Sequence, residues 1–417
     1  MKLILGNKNN TVKASSLTNA IFICLIISIF CGCLVLISHF QKILNTKLEL
    51  NNHLISRNNS SFNYFLNTIE SFPFNTIQET DIFDDGIISF AEKKNWGFYD
   101  ILVCKTVFKT DTITKMALIG KKSRDKNRLA LYTTDYDKPL KLSGKTKILG
   151  NIKVPFGRTE QAYINGHEGN SVQIKGTQLK AEDRLPKIDK DISITTFGYK
   201  DIPFNTIKET TFINAFDKET QIINLNGIRD LSDITIKGNI ILTSNGEIEI
   251  NNSSSLSDVL IMAPSVVVKS GFKGSIQIMA QENVTIEENV SLLYPSSIYV
   301  KNDVDSVNVT IQKGTKIIGG IVVDGNTYNG SLKRKLTIEE NTNVIGNVYC
   351  YGSTQLQGDI IGSVYSDRFF LKTTSSNYEN VILNATINRD SLPEHFIELP
   401  LFRNNVDEKK YEIIKTF

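Results

Sequence analysis

Val284-Thr285-Ile286-Glu287-Glu288-Asn289 returns as Val309-Thr310-Ile311-Gln312-Lys313-Gly314, and again as Leu336-Thr337-Ile338-Glu339-Glu340-Asn341. The three isoleucines are spaced by 25 and then 27 residues. A second phrase interleaves with the first: Ile318-Gly319-Gly320-Ile321, Ile345-Gly346-Asn347-Val348 and Ile361-Gly362-Ser363-Val364. Looser copies are Lys237-Gly238-Asn239-Ile240 and Lys273-Gly274-Ser275-Ile276. Each is a short alternating run that ends on Gly or Asn, residues that accept a positive φ at a tight corner. Alternation puts Val284 and Ile286 on one face and Thr285 on the other. Such a unit cannot bury its apolar face alone, but stacked on its neighbours it forms a continuous core. Only Pro295 falls between Ser265 and Leu392, as stacked strands that need their amide donors require. The pattern predicts a mainly β chain built around a β-helix, or solenoid. The alternative is a β-sandwich with similar turns.

Working outward, Ile148-Leu149-Gly150-Asn151-Ile152 and Val172-Gln173-Ile174-Lys175-Gly176 share this grammar. They predict a solenoid over 140–385, with a charged excursion at 177–230. Residues 386–402 contain Pro393 and Pro400 among apolar residues, a composition that can cover an exposed coil end. A terminal cap and tail are therefore expected over 386–417.

The N-terminal part reads differently. Ala20 to Ile37 is an uninterrupted run of 18 residues without a charge. As a helix it is about 27 Å long at roughly 1.5 Å per residue, close to the hydrocarbon thickness of a bilayer. Lys2, Lys8 and Lys13 precede it and account for the whole formal charge of +3. The positive-inside rule then predicts a cytoplasmic leader over 1–18, a membrane helix over 19–40 and everything later across the membrane. A cleaved signal peptide is the competing reading, but no small-x-small site follows Ile37. Residues 41–69 are expected to continue as a helical stalk, breaking near Asn58-Asn59-Ser60-Ser61, a cluster of poor helix formers. Residues 70–139 form a small β-rich region, with strands expected at Tyr99–Phe108, Thr114–Gly120 and Leu129–Thr133. Lone Trp96 is expected in or beside the core. Pro73-Phe74-Asn75-Thr76-Ile77 recurs as Pro203-Phe204-Asn205-Thr206-Ile207, without a physical account beyond similar entries into strands.

The search for chemistry excludes more than it finds. Once the leader is set aside the body is formally neutral, which argues against a nucleic-acid partner. His39, His53, His167 and His395 have no partner at metal-ligand spacing, so no metal or cofactor is expected. Asp303 with Asp305, Asp359 with Asp367-Arg368, and His167-Glu168 are the neighbourhoods closest to a hydrolytic carboxylate cluster. Neighbours on a strand point to opposite faces, and these read as solvated loops. No catalytic residue is assigned. Asn283, Asn289, Asn308, Asn329 and Asn384 begin Asn-x-Ser/Thr triplets, whose simpler role is in turns. Of five cysteines, Cys24, Cys31 and Cys33 lie in the apolar run, which leaves Cys104 and Cys350 with their pairing open.

Two resemblances follow from these residues. A basic leader, a small-residue step at Lys13-Ala14-Ser15-Ser16-Leu17 and a long apolar helix resemble pilin-like proteins, closest to minor pseudopilins. This leader differs in having no Gly between Asn7 and Ser28 and no acid before Glu49. Thr310-Ile311-Gln312-Lys313-Gly314-Thr315 and the Ile-Gly phrases resemble the bactofilin family of bacterial scaffold proteins. That resemblance implies a right-handed β-helix with a nucleotide-free structural role. The reading is thus a non-enzymatic, single-span, membrane-anchored envelope scaffold with protein partners or self-association. The alternatives are a pseudopilin-like component of a secretion or pilus system and a surface polysaccharide-binding or -cleaving protein.

Overall fold

The computed structural model describes residues 15–122, 128–164, 171–188, 201–204, 210–302, 306–325, 333–402 and 410–417. The chain is mainly β, with one long N-terminal helix, α1, at Ser15–Thr68. It has three layers: the C-terminal end of α1 from Leu54, an antiparallel meander sheet, and a stack of coils.

The coils are made of parallel strands in register along three walls. In the third wall Ile250 pairs with Val268, Val268 with Ile286, Ile286 with Ile311, Ile311 with Ile338 and Ile338 with Leu356. Residues two positions earlier form a parallel file through Val266, Val284, Val309 and Leu336. All of these side chains are buried, while Thr310 and Thr337 between them are half-buried on the outer face. The repeated phrase is therefore one wall of successive coils. The uneven spacing also has a physical cause. Ile250, Val268 and Ile286 are 18 residues apart. In the longer coils more sequence separates strand Ser291–Lys301 from Val307–Ile311, and strand Lys316–Asp324 from Arg334–Ile338. Asn289, Gly314 and Asn341 end the three phrases with φ of 59°, 73° and 58°, the left-handed corner their residue types allow.

The Ile-Gly phrase marks the corner between the first wall and the wall facing the meander sheet. Gly319, Gly346 and Gly362 are in register. A Cβ on Gly346 would lie 1.9 Å from the Gly319 carbonyl oxygen, at a φ of 129°. Backbones of successive coils touch there, so only glycine fits.

The first coils do not come first in the stack. Strands Leu129–Thr133, Leu140–Ser143 and Lys147–Leu149 add to its C-terminal end. Val364 pairs with Leu131, Ile382 with Leu142 and Ile387 with Ile148, so all three walls continue across the junction. One further coil follows, ending at Gln173–Lys175 and Gln178–Lys180. The chain then re-enters at the opposite end with strands Asp201–Pro203 and Thr211–Asn214. Two expectations change. The stack takes in Leu129–Thr133, ahead of the expected boundary at 140. The residues expected to cap it do not, because Thr386–Asn388 is itself a wall strand and 129–154 covers it. Residues 397–402 lie instead along the side, where Asn347 donates to the Leu399 carbonyl (3.3 Å) and Tyr294 to that of Ile397 (3.1 Å).

The meander sheet runs Ile77–Thr80, Ile88–Trp96, Tyr99–Phe108, Asp111–Lys122, and is closed by Lys410–Thr416 from the far end of the chain. That last strand was expected as a tail. Alternation splits the sheet into two buried faces. Ala91, Leu102, Cys104, Ala117, Ile119 and Tyr411 meet Phe62, Phe65 and Ile69 of α1. Trp96, Phe98, Tyr99, Ile101, Val103 and Leu118 meet Tyr132, Tyr299, Val322 and Tyr349 on the outside of the stack.

Nor does α1 break at residue 58. Asn58 is buried and its amide donates to the Cys104 carbonyl (3.2 Å), Thr106 Oγ1 (3.0 Å) and the Ile113 carbonyl (3.2 Å). Ser61 Oγ accepts from Ser89 Oγ (2.8 Å), and Asn59 Oδ1 accepts from Lys115 Nζ (2.7 Å). Residues that weaken an isolated helix here dock it, and tertiary packing overrides propensity. Cys104 lies under α1 and Cys350 in the stack core, and both are free thiols.

Candidate functional site

Among the described residues, four polar clusters and one bare helix bear most directly on function. The first cluster joins the meander sheet to the stack. Gln277 Nε2 donates to the Trp96 carbonyl (2.9 Å), and its Oε1 accepts from Phe98 N (3.0 Å) and Ser297 Oγ (3.1 Å). Beside it Asp258 sits at a register break in its strand with a φ of 60°. Both of its carboxylate oxygens accept from Lys415 Nζ, at 2.8 and 2.6 Å. These groups line a crevice with a free volume of about 10 Å³, room for one water. A small-molecule substrate would need several hundred cubic ångströms.

The second cluster locks the coil junction. Glu398 is buried between Arg128 and Arg389, and Arg389 Nη2 donates to its Oε2 at 3.0 Å. Ser363 Oγ donates to the Leu129 carbonyl across the junction (2.7 Å). In the third, Tyr136 donates to the buried Asp367 Oδ1 (2.7 Å), and Arg368 lies over the Tyr136 ring. Asp359 is on another wall of the stack, so it and Asp367 do not form a catalytic pair. The fourth lies within the meander sheet. Tyr411 donates to Asp100 Oδ2 (3.1 Å), and Lys93 Nζ is 3.9 Å from that oxygen and 4.3 Å from the Phe74 ring centre. Burial lowers the Lys93 ammonium and Asp100 partly restores it.

None of these groups is arranged as a nucleophile with its base. Burial pushes the Cys104 and Cys350 thiols up to about 12, so neither supplies a thiolate near neutrality. His39 and His53 are exposed on α1, and His395 Nδ1 lies 3.4 Å from Lys122 Nζ. Among the described residues no three His, Cys, Asp or Glu side chains converge as metal ligands. The pairs at Asp303 and Asp305 and at His167 and Glu168, like the leader at 1–14, lie outside the described residues. Sequence reasoning missed Gln277, Asp258 and Glu398. The partners that tie Gln277 and Asp258 to the meander sheet are 157 to 181 residues away, and no local pattern encodes such contacts. The one available signal is Asp258, a charge inside the apolar run Leu256–Met262.

The bare helix is the first half of α1. It is long and apolar enough to cross a membrane, and its 18-residue apolar window is not buried anywhere in the protein. Comparison with protein-family models, with curated proteins and with solved structures gives no match.

Proposed function

We propose that the protein is a single-span membrane-anchored envelope scaffold whose stack of coils serves as a rigid interaction surface, without catalytic chemistry. The observation that carries this is the continuity of α1. Its apolar, exposed half runs on, without a break, into an end that packs Phe62 and Phe65 into the core under the meander sheet. An anchor that enters the fold holds the stack at a fixed attitude to the bilayer, whereas a flexible linker would leave it free. Lys2, Lys8 and Lys13 ahead of the apolar run support a folded part on the far side of the membrane. The coils take the right hand usual for parallel strands joined by crossovers. The polar clusters support a structural role, since three of them tie one layer or coil to another and the fourth ties strands of the meander sheet together.

The test is alkaline carbonate extraction with protease protection. Full-length protein should stay with the membrane, and the stack should be accessible only from the far side. Release of the intact chain at high pH would remove the anchor.

A second reading, a pseudopilin-like component, is favoured by one observation. The helix that emerges from the apolar run packs on an antiparallel meander, so contacts between helices of neighbouring molecules would also space their folded parts. The mass of the N-terminal peptide decides it, because that reading requires removal of the leader near Ala14.

A further inference from the structure

Along α1, every fourth and then third residue from Ile23 falls on one stripe. Its membrane part is Ile23, Ile27, Phe30, Leu34 and Ile37, and its continuation is Gln41, Leu44, Leu48, Asn51 and Ile55. The next steps, Asn58, Phe62, Phe65 and Ile69, are buried under the chain's own meander sheet. Upstream, nothing among the described residues covers the stripe. Leu44 and Leu48 are 59% and 60% exposed and Ile55 41%, although all three lie beyond the apolar run. The side turned away from the stripe, Lys42, Thr46, Glu49 and His53, is polar throughout, so the leucines are not scattered surface residues. A sustained alternation of fours and threes is the seam of a left-handed helix pair.

We propose that this seam is occupied by the same seam of a second copy, forming a parallel two-helix coil from the membrane to Ile55. The proposal rests on the membrane reading above for its polarity and register. A second copy inserted the same way has the same direction and depth, so each seam position meets its own counterpart. The seam suits that symmetry. It carries no charge from Ile23 to Ile55, so no like charges meet at the two-fold axis. Its only polar members, Gln41 and Asn51, are amides, which donate to and accept from their own copies. An Asn at a core position fixes register and a two-stranded state. The helices part after Ile55, because from Asn58 the meander sheet occupies this side.

The experiment uses the full chain in native membranes with Cys24, Cys31 and Cys33 changed to Ser. Single cysteines are introduced as Leu44→Cys, Leu48→Cys and Ile55→Cys on the seam, and as Lys42→Cys, Thr46→Cys and Glu49→Cys opposite. All six side chains are exposed in the single chain, so none of the changes threatens the fold. Disulfide-linked dimers should form about tenfold faster on the seam than opposite it, the contrast expected of facing and outward positions in a coil. Leu44→Asn with Leu48→Asn should abolish dimers captured through Ile55→Cys. A flat pattern, a maximum on the polar side, or cross-links only to a different protein would overturn the proposal. The same membranes are extracted with carbonate. Release of the chain counts against the anchor, whereas retention with a flat pattern counts against the seam alone.

Discussion

Ile311 meets Ile338, and Val364 meets Leu131, in the same kind of contact: parallel, in register, with side chains buried in one core. The first pair is one coil apart and the second is most of the chain apart. The interior does not distinguish them. A coil end accepts any coil of matching wall geometry, because what is buried is apolar surface and unpaired backbone, neither of which records chain order. The difference lies outside the core. Consecutive coils are held by their own connections, whereas the distant junction has a lock of its own, Glu398 between Arg128 and Arg389.

The core itself is where the largest effect is expected. Ile311→Asp would bury an unpaired charge among Ile286, Val309 and Ile338 and should cost on the order of 5 kcal/mol or more, enough to unfold the stack. Thr310→Lys, one residue away on the outer face, should stay within about 0.5 kcal/mol. Denaturant midpoints of the two variants check this. Equal damage would mean that the inward and outward faces are misassigned.

Next is the glycine corner. Gly346→Ala sets a Cβ against the Gly319 carbonyl at a φ that L-residues rarely adopt, and should cost about 2–4 kcal/mol. A smaller loss, measured the same way, would show that the coils can move apart at this corner.

The junction should respond differently. Glu398→Gln leaves two arginines facing a neutral amide. They are 23% and 16% exposed in their side chains, so water moderates the loss to about 2 kcal/mol. Hydrogen exchange is the informative measurement. Protection should fall in 129–154 and 364–388 while 259–311 is unchanged. A uniform fall would mean that the junction is no weaker a point than any coil contact.

These expectations also show which parts of the fold the sequence could express. The wall phrases were legible because a repeated geometry demands a repeated residue pattern, as at Val284, Val309 and Leu336. The strands at 99–108 and 129–133 were legible through alternation. The order of the coils was not, since Leu131 carries an apolar pattern that fits any neighbour. The unbroken α1 was not, because Asn58 is a helix breaker until Cys104, Thr106 and Ile113 supply its partners. The C-terminal strand was hidden for the same reason: Lys410–Thr416 becomes a strand only against Asp111–Lys122. The polar clusters were the least legible, as each joins residues with no common motif.

The two buried thiols sharpen the contrast between layers, since Cys104 reports on the helix–sheet face and Cys350 on the stack. Their folded values lie near 12 against 9 for an ordinary thiol. Below pH 9 both states hold the proton and nothing changes. Between 9 and 12 the unfolded chain releases it first, so stability should fall by about 1.4 kcal/mol per thiol per pH unit, as an upper figure. Cys104→Ala and Cys350→Ala should each flatten that slope. At pH 8 neither thiol should be alkylated in the folded protein. Rapid labelling of Cys104 alone would mean that α1 lifts from the sheet while the coils stay closed.

The smallest effect expected is at the contact that ties the far end of the chain to the stack. Lys415 lies on the edge strand of the meander sheet, yet its ammonium reaches the buried carboxylate of Asp258. The lysine is 37% exposed and the aspartate 4%, so the pair is neither a surface bridge nor a dry one. Most of the docking should come from the strand's backbone pairing and from Phe417, whose ring centre is 4.3 Å from that of Phe216. Lys415→Met keeps the stem that packs there and removes the charge, at a cost of about 1 kcal/mol. That loss should be smaller than the pair's interaction alone suggests, because Ser275 Oγ at 3.4 Å still donates to Asp258. The double change with Asp258→Asn separates the terms. If the ion pair contributes, the double variant should be more stable than the sum of the single losses implies, and the excess should shrink in high salt. Strict additivity would assign the docking of this strand to its backbone and to Phe417.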